Sequence, residues 1–275
     1  MNIKFEPDVN LSIIFTELEL LERFEAVSQV GFGAVELWWP FDFASPSDKS
    51  INELTRAITD QGLKLVGMNF DAGNMAQGDR GLVSIPGQQD RFKTSVDAAI
   101  EFAKGLGCKA FNALYGNRIE GVDPKQQDEL AIENLLYATN AVKQIQGVVL
   151  IETQNNFDSP SYPLLKAQDA ISVIDKVRSN GYGNIAFLAD LYHLHRMGED
   201  LVSTIEKYSS YIEHIQVADD PGRHQPGTGT IDFDAAFDAL EANGYKKYMG
   251  LEYKPQGQSK DSFDWIPLDK RKSTS

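Results

Sequence analysis

Acidic side chains stand directly after short apolar runs in this chain of 275 residues. Glu152 ends the run VVLIE, Asp190 ends IAFLAD and Glu252 ends YMGLE, while Gln216 lies near the end of HIQVAD. A carboxylate placed after several apolar residues is partly removed from water, which costs several kcal/mol unless a partner compensates. Each acid alone could cap a helix or pair with an arginine, whereas acids that converge on one point would form a functional site.

As metal ligands, the side chains of these four residues would offer only oxygen atoms. The ligands would be three carboxylates, from Glu152, Asp190 and Glu252, and the neutral amide of Gln216. Oxygen donors suit hard cations such as Mg²⁺ or Mn²⁺ better than Zn²⁺ or Cu²⁺. The single cysteine, Cys108, and the absence of CxxC and HxxxH motifs give no support for a conventional zinc site. We therefore expect these four residues to bind Mg²⁺ or Mn²⁺, and a water-filled acidic rim without metal is the alternative.

The histidines divide into one candidate for function and others that we expect to be structural. His193 lies three residues beyond Asp190, where it could bind a substrate oxygen or move a proton. A position in a surface loop is the alternative for His193. We expect structural roles for His195 and His214.

Cationic and polar residues after other strands are candidates for binding a substrate. Arg80, Arg223 and Lys254 follow three of the apolar runs, and arginine can hold a carboxylate through two parallel hydrogen bonds. Asn69 and Glu36 end two further runs and complete the expected substrate-binding residues.

Short runs rich in β-branched or aromatic residues alternate with longer stretches in which apolar residues recur three and four positions apart. The runs predict strands at 9–15, 34–37, 63–69, 108–114, 148–152, 185–190, 212–217 and 248–252. The stretches predict helices at 18–30, 52–61, 90–106, 129–146, 167–179, 201–208 and 233–242. Strands that are apolar on both faces are typical of parallel sheets covered by helices.

This alternation predicts an α/β fold, a single (β/α)8 barrel over residues 1–269, with an open doubly wound sheet as the alternative. Residues 270–275 are polar and charged, which predicts a disordered tail. In such a barrel the carboxyl ends of all strands share one rim, where active sites lie. The acids that end the fifth, sixth and eighth strands would then be neighbours.

The composition narrows the range of partners. A formal charge of −14 argues against binding nucleic acid or an anionic membrane, since both attract clustered cations. No apolar run reaches the length of about 18 residues that spans a membrane, and the first residues do not look like a signal peptide. We expect a cytoplasmic enzyme that acts on a small molecule, and a homo-oligomer is possible.

Seven short motifs, in this order, resemble the hydroxypyruvate isomerase family of xylose isomerase-like TIM barrels. They are NLS at 10–12, GAVE at 33–36, AQGDRG at 76–81, IPG at 85–87, DLYH at 190–193, HIQVAD at 214–219 and EYKP at 252–255. The resemblance implies an aldose–ketose isomerase in which Glu152 and Glu252 exchange protons with the substrate. In the wider superfamily two glutamates, an aspartate and a histidine bind a divalent metal. Asp190 matches the aspartate, and Gln216 stands in place of the histidine.

The resemblance also implies a reaction, the interconversion of hydroxypyruvate and 2-hydroxy-3-oxopropanoate through an enediolate. Relatives suggest alternatives: isomerisation of a 2-oxo-tetronate or epimerisation of a ketose at C3. A sugar-acid dehydratase and an apurinic endonuclease are further alternatives, and the charge and the four histidines count against the endonuclease. Trp38-Trp39 and Thr153-Gln154 depart from the residues usual in the family, and both pairs could reshape the pocket.

Overall fold

The computed structural model describes residues 1–271, which form a closed barrel of eight parallel strands in sequence order. The strands are β1 Pro7–Asn10, β2 Ala34–Leu37, β3 Lys64–Asn69, β4 Ala110–Asn112, β5 Val148–Glu152, β6 Ile185–Asp190, β7 Ile212–Val217 and β8 Met249–Leu251. The helices are α1 Leu20–Gln29, α2 Asp48–Thr59, α3 Gln89–Leu106, α4 Pro124–Val142, α5 Ala167–Arg178, α6 Leu191–Arg196, α7 Leu201–Tyr208 and α8 Phe233–Ala242. The prediction of a (β/α)8 barrel is confirmed.

Local capping sets where several helices begin. Asp123 accepts a hydrogen bond from the backbone N–H of Lys125, and Pro124 occupies the first turn of α4. Both features favour a helix start, so α4 begins at residue 124 rather than at the predicted 129. Ser47 caps α2 in the same way through Ser50 N. Apolar periodicity alone misses such first turns because they are polar.

The first strand ends earlier than its apolar pattern predicts. β1 stops at Asn10, whose side-chain oxygen accepts from Ser12 N at 3.0 Å and whose carbonyl accepts from Ile14 N at 3.0 Å. These bonds turn the chain, although Leu11 and Ile14 remain fully buried. An apolar loop that is buried in the core therefore resembles a strand in the sequence.

The short helix α6 was not among the predicted helices. It follows β6 without a loop because the Asp190 carboxylate accepts from the N–H groups of Tyr192 and His193.

The start of the predicted tail has a defined structure. Lys270 ends a 3-10 turn, and Arg271 is buried, where it donates to three backbone carbonyls. These two residues of the predicted tail are therefore held by the turn and by the carbonyls that Arg271 satisfies. Residues 272–275 lie outside the described part of the chain.

The interior of the barrel has an apolar part and a polar part. Strands β4, β5 and β6 contribute a small apolar cluster formed by Ala110, Val148, Leu150, Ala186 and Leu188. Strands β1, β2 and β7 contribute buried polar side chains: Asp8, Asn10, Glu36, His214 and Gln216. All of these except Asp8 hydrogen-bond to one another across the barrel. The polar part adjoins the carboxyl ends of the strands, where the candidate site lies.

Within residues 1–271, none of the helices combines the length and the apolar character needed to cross a membrane.

Candidate active site

Four of the expected residues meet at the carboxyl ends of β5, β6 and β8. One ligand atom from each of Glu152, Asp190, His193 and Glu252 lies within 4.8 Å of the others, and all four side chains are buried. Glu152 ends β5, Asp190 ends β6 and Glu252 directly follows β8, so the barrel itself brings them together. We call these four residues the mouth cluster.

The Glu152 carboxylate contacts only neutral donors. Asn112 Nδ2 donates to Oε2 and Gln154 Nε2 donates to Oε1, each at 2.6 Å. Burial, followed by the charges of Glu252 and Asp190, raises the pKa of Glu152 well above its ordinary value. This environment favours the protonated form of Glu152.

The Glu252 carboxylate contacts a cation as well as neutral donors. Trp38 Nε1 donates to Oε1 at 2.7 Å, Asn10 Nδ2 donates to the same oxygen at 3.0 Å, and the Arg223 guanidinium pairs with Oε2. Burial raises the pKa of Glu252, and Arg223 opposes that rise. The two glutamates of one site are therefore held in different electrostatic environments.

The two carboxylate oxygens of Asp190 have different surroundings. Oδ1 accepts from the N–H groups of Tyr192 at 2.8 Å and His193 at 3.2 Å, which fixes the start of α6. Oδ2 is buried and has no hydrogen-bond partner among residues 1–271. Burial raises the pKa of Asp190 to about 7, against the opposing effect of Arg223.

His193 is buried in α6, not in a surface loop, and its surroundings fix its tautomer. Its Nδ1 accepts from Asn155 N at 3.1 Å and from Asn155 Nδ2 at 2.8 Å, which leaves the ring proton on Nε2. Nε2 lies 3.8 Å from Glu152 Oε1 and 3.5 Å from Asp190 Oδ2. Burial, with the charges of Arg223 and Arg80, lowers the pKa of His193 well below its ordinary value. His193 therefore presents a neutral N–H donor to the site.

Loop contacts direct Arg223 toward the mouth cluster. The loop after β7 carries it, and Lys254 N donates to the Arg223 carbonyl at 2.7 Å, which pins that loop beside the end of β8. Its guanidinium also lies 3.8 Å from Asp190 Oδ2. The side chain of Lys254 itself is exposed and does not line the cavity, so its predicted contact with substrate is not supported.

Arg80 reaches the site from the loop after β3. Its Nε donates to Ser159 Oγ at 3.1 Å, and one terminal nitrogen donates to the carbonyls of Met75 and Asp79. The next residue, Gly81, has φ of +108°, and a Cβ there would lie 1.8 Å from the Leu114 carbonyl oxygen. Only glycine permits this approach, which fixes the loop that carries Arg80.

A cavity of about 60 Å³ connects these groups. Its lining includes Asn69, Arg80, Glu152, Gln154, Arg223 and Glu252. Trp38 and Met75 also line it, and the same two residues border a neighbouring cavity of about 640 Å³ between the loops after β1, β2 and β3. A small acidic chamber with two arginines thus adjoins a larger outer space.

Glu36 lies behind the cavity and not in its lining. Its Oε1 accepts from Asn10 Nδ2 at 3.0 Å and Gln216 Nε2 at 2.6 Å, and its Oε2 accepts from His214 Nε2 at 2.8 Å. These three protein donors contact both oxygens, and the lining of the cavity does not include Glu36, so its predicted contact with substrate gains no support from the structure. Its role is to hold Asn10, which in turn contacts Glu252.

Sequence reasoning missed the amides that orient the acids. Asn10, Asn112, Gln154 and Asn155 each place an N–H group on a member of the mouth cluster. The available signal was their position, since Asn10 ends β1 and Asn112 ends β4, on the same rim as the acids.

The donor set fits a hard divalent cation. Gln216 Oε1, like Asp190 Oδ2, is buried without a hydrogen-bond partner in the described chain, so two of the four expected ligands keep a free oxygen. Of the four expected ligands, Glu152, Asp190 and Glu252 converge in the mouth cluster, and their carboxylate oxygens match the preference of Mg²⁺ or Mn²⁺. The Gln216 amide donates instead to Glu36, behind the cavity. His193 is the fourth member of this cluster, and in the ion-free protein its Nε2 faces the carboxylates as a hydrogen-bond donor.

Comparison with known proteins shows what this chain resembles. A family model described as "Xylose isomerase-like TIM barrel" matches residues 24–268. A protein of Streptomyces coelicolor named "Putative hydroxypyruvate isomerase" is 50% identical over 268 residues, which is 96% of both chains. The "Hydroxypyruvate isomerase" of Escherichia coli is 37% identical over 94% of this chain and 96% of its own length. The "2-oxo-tetronate isomerase" of Haemophilus influenzae is 32% identical over the same two shares.

Proposed function

We propose that this chain interconverts hydroxypyruvate and 2-hydroxy-3-oxopropanoate. The premise is that it belongs to the xylose isomerase-like TIM barrel family and is an isomerase. The observation that carries this proposal is the pair Glu152 and Glu252, which line one small cavity and differ in that Arg223 pairs with Glu252 whereas amides donate to Glu152. The names of the relatives supply the substrate class, and the residues supply the chemistry.

The reaction moves one proton between neighbouring carbon atoms. A base removes a proton from C3 of hydroxypyruvate, and the electrons form an enediolate. An acid then delivers a proton to C2, while the hydroxyl proton moves from the oxygen on C3 to the oxygen on C2. The product is the aldehyde isomer, and the reverse reaction uses the same two groups with their roles exchanged.

The contacts favour Glu252 as the base and Glu152 as the acid in the direction that consumes hydroxypyruvate. The Arg223 guanidinium favours the ionised form of Glu252, whereas Glu152 contacts only amides and favours its protonated form. Two carboxyl groups held in different protonation states can supply a base and an acid in one site. Exchange with solvent returns both to their starting forms.

Neutral and cationic donors would stabilise the substrate and the enediolate. His193 Nε2 presents a proton toward the mouth cluster without using an existing hydrogen bond. Arg80 is the guanidinium in the cavity lining that lacks a carboxylate partner in the described chain, and we assign it to the substrate carboxylate. Arg223 is committed to Glu252, so its contact with substrate would be secondary.

We propose that Glu152, Asp190, Gln216 and Glu252 bind Mg²⁺ or Mn²⁺. Such a cation supplies Lewis-acid stabilisation of negative charge on the substrate oxygens when it is bound. The residues themselves bind and orient the substrate and exchange the protons.

A four-carbon 2-oxo acid is the second candidate substrate. The cavity of about 640 Å³ that shares Trp38 and Met75 with the acidic chamber offers room for a longer chain. A relative named for this activity is 32% identical to the chain.

An assay of hydroxypyruvate, a 2-oxo-tetronate and D-fructose in D₂O tests the proposal. Proton NMR should show the aldehyde isomer of hydroxypyruvate with deuterium on C2, and a chelator should slow its formation. Faster turnover of the 2-oxo-tetronate would favour the second candidate. Preferred conversion of the neutral ketose would contradict both acid substrates, and loss of water instead of isomerisation would indicate a dehydratase.

A further inference from the structure

A second group of ligand-type side chains lies in the barrel interior, apart from the mouth cluster. Asp8 from β1, Glu36 from β2 and His214 from β7 each place one ligand atom within 4.8 Å of the others. Their exposed fractions are 0%, 4% and 6%. We call these three residues the interior cluster.

Asp8 carries a carboxyl group that nothing in the described chain satisfies. Both of its oxygens are buried, and neither has a hydrogen-bond partner among residues 1–271. An isolated buried carboxylate is strongly unfavourable, so such a group takes up a proton or a cation. A proton alone would leave a buried hydroxyl without an acceptor, whereas a cation would contact the oxygens directly.

The other two members of the interior cluster are held in fixed orientations close to Asp8. Amide groups of Asn10 and Gln216 hold Oε1 of Glu36, while His214 Nε2 lies 2.8 Å from Oε2. Gly250 makes this arrangement possible, because a Cβ there would lie 3.0 Å from both Glu36 Oε1 and His214 Nε2. Donors that fix the orientation of a ligating carboxylate are typical of metal sites.

We propose that Asp8, Glu36 and His214 bind a divalent cation of the Mn²⁺ or Zn²⁺ class inside the barrel, separate from any ion at the mouth. Two carboxylates and one imidazole suit these metals better than Mg²⁺, which prefers oxygen alone. On binding, the Nε2 proton of His214 leaves to solvent and the nitrogen lone pair faces the ion. The site links β1, β2 and β7, so occupancy stabilises the folded barrel.

The experiment adds known amounts of Mn²⁺ to chelator-treated protein and measures the free ion by its electron paramagnetic resonance signal. The number of bound ions is the difference between added and free Mn²⁺. The first variant combines Glu152→Gln with Asp190→Asn, which removes two ligands of the mouth. The second adds Asp8→Asn, a neutral change of nearly equal size. We expect the first variant to bind one Mn²⁺ and the triple variant to bind none. The same Mn²⁺ addition should raise the Tm of the first variant by several degrees and leave that of the triple variant unchanged.

Two results would overturn the proposal. One is that the first variant binds no Mn²⁺ and shows no change of Tm when Mn²⁺ is added. Asp8 would then be held protonated, and Asp8→Asn should raise the Tm. The other is a triple variant that still binds one Mn²⁺, which places the ion elsewhere. If the variant with Asp8→Asn fails to fold, His214→Gln can be added to the first variant instead, and it should likewise abolish the binding of Mn²⁺. None of these results depends on turnover, so they are separate from a failure of the proposed reaction.

Discussion

The mouth cluster and the interior cluster are built from the same residue types and have opposite electrostatics. Each combines carboxylates with one buried histidine. At the mouth, burial and the neighbouring arginines lower the pKa of His193. In the interior, burial also favours the neutral ring, but the hydrogen bond to Glu36 and the charges of Glu36, Asp8 and Glu252 raise the pKa of His214 to about 8.

The difference comes from which parts of the fold supply the positive charge. Loops after β3 and β7 bring Arg80 and Arg223 to the mouth, whereas the interior cluster lies between strands, out of reach of those loops. His193, which has arginines nearby and no hydrogen bond to a carboxylate, is therefore held neutral, whereas the direct hydrogen bond to Glu36 favours the charged form of His214. In this barrel the loops set the protonation of the mouth, and the strands alone set that of the interior.

Removal of either proposed proton-transfer group should give the largest effect. Glu152→Gln and Glu252→Gln should each lower kcat by roughly 10²–10⁴, the range of acid–base catalysis, because a glutamine cannot exchange the proton. The double variant should lose much less than the product of the two effects, since the two groups act together. Steady-state kinetics on protein whose circular dichroism matches the wild type would check this, and near-normal turnover of either single variant would contradict the assignment.

Loss of the Arg80 guanidinium, which has no carboxylate partner in the described chain, should affect only acid substrates. Arg80→Met keeps most of the side-chain stem and should cost about 2–4 kcal/mol in kcat/KM for hydroxypyruvate, the scale of a broken buried charge contact. A neutral ketose should lose almost nothing. Lys254→Met is the matched control, because its exposed side chain lies outside the cavity lining. Equal slowing of both substrates by Arg80→Met would show that this arginine does not recognise a carboxylate.

The charged state of His214 should appear as pH-dependent stability of the metal-free protein. A pKa raised from 6.5 to about 8 on folding stabilises the barrel below pH 6.5, and this contribution is lost as the pH rises through 8. Its full size is about 2 kcal/mol. The free energy of unfolding, measured with urea, should therefore fall between pH 6 and pH 9 in the wild type. In His214→Gln this fall should be smaller by about 2 kcal/mol. Equal falls in the two proteins would mean that the ring is neutral.

The tryptophan at the mouth should contribute the smallest of these effects. Trp38→Phe removes the N–H group that donates to Glu252 Oε1 at 2.7 Å and keeps an aromatic ring. Asn10 and Arg223 remain on the carboxylate, so the expected loss is near the lower end for a charged hydrogen bond, about 1.5 kcal/mol or about tenfold in kcat/KM. Kinetics with hydroxypyruvate and with a 2-oxo-tetronate would check it. A change in the preference between these two acids, without that loss, would mean that Trp38 shapes the cavity instead.

The fold could be predicted from the sequence because each strand and helix carries its own hydrophobic period. The convergence of Glu152, Asp190 and Glu252 followed from the barrel, since consecutive strand ends share one rim. Which side chain contacts which could not be predicted in the same way. Glu36 and His214 are separated by 178 residues and meet across the interior, so only the closed barrel reveals that Glu36 is used by protein donors.

Loop direction set the other limit on prediction. Lys254 lies two residues after Glu252 in the sequence, yet its backbone rather than its side chain faces the site. Arg223 reaches the same glutamate from the loop after β7 because its backbone is bonded to Lys254. Sequence spacing identifies charges near a rim, but the path of each loop decides which of them enters.

The side chain of Asn10 uses both of its N–H protons and its oxygen between the two clusters. Its Nδ2 donates one proton to Glu36 Oε1 and the other to Glu252 Oε1, each at 3.0 Å, and its Oδ1 accepts from Ser12 N. An aspartate would set a third acceptor between two carboxylates, a serine would offer a single proton, and a glutamine would be one methylene too long. A mutational library built to change the substrate range should therefore keep asparagine at position 10, because no other common side chain makes these three hydrogen bonds together.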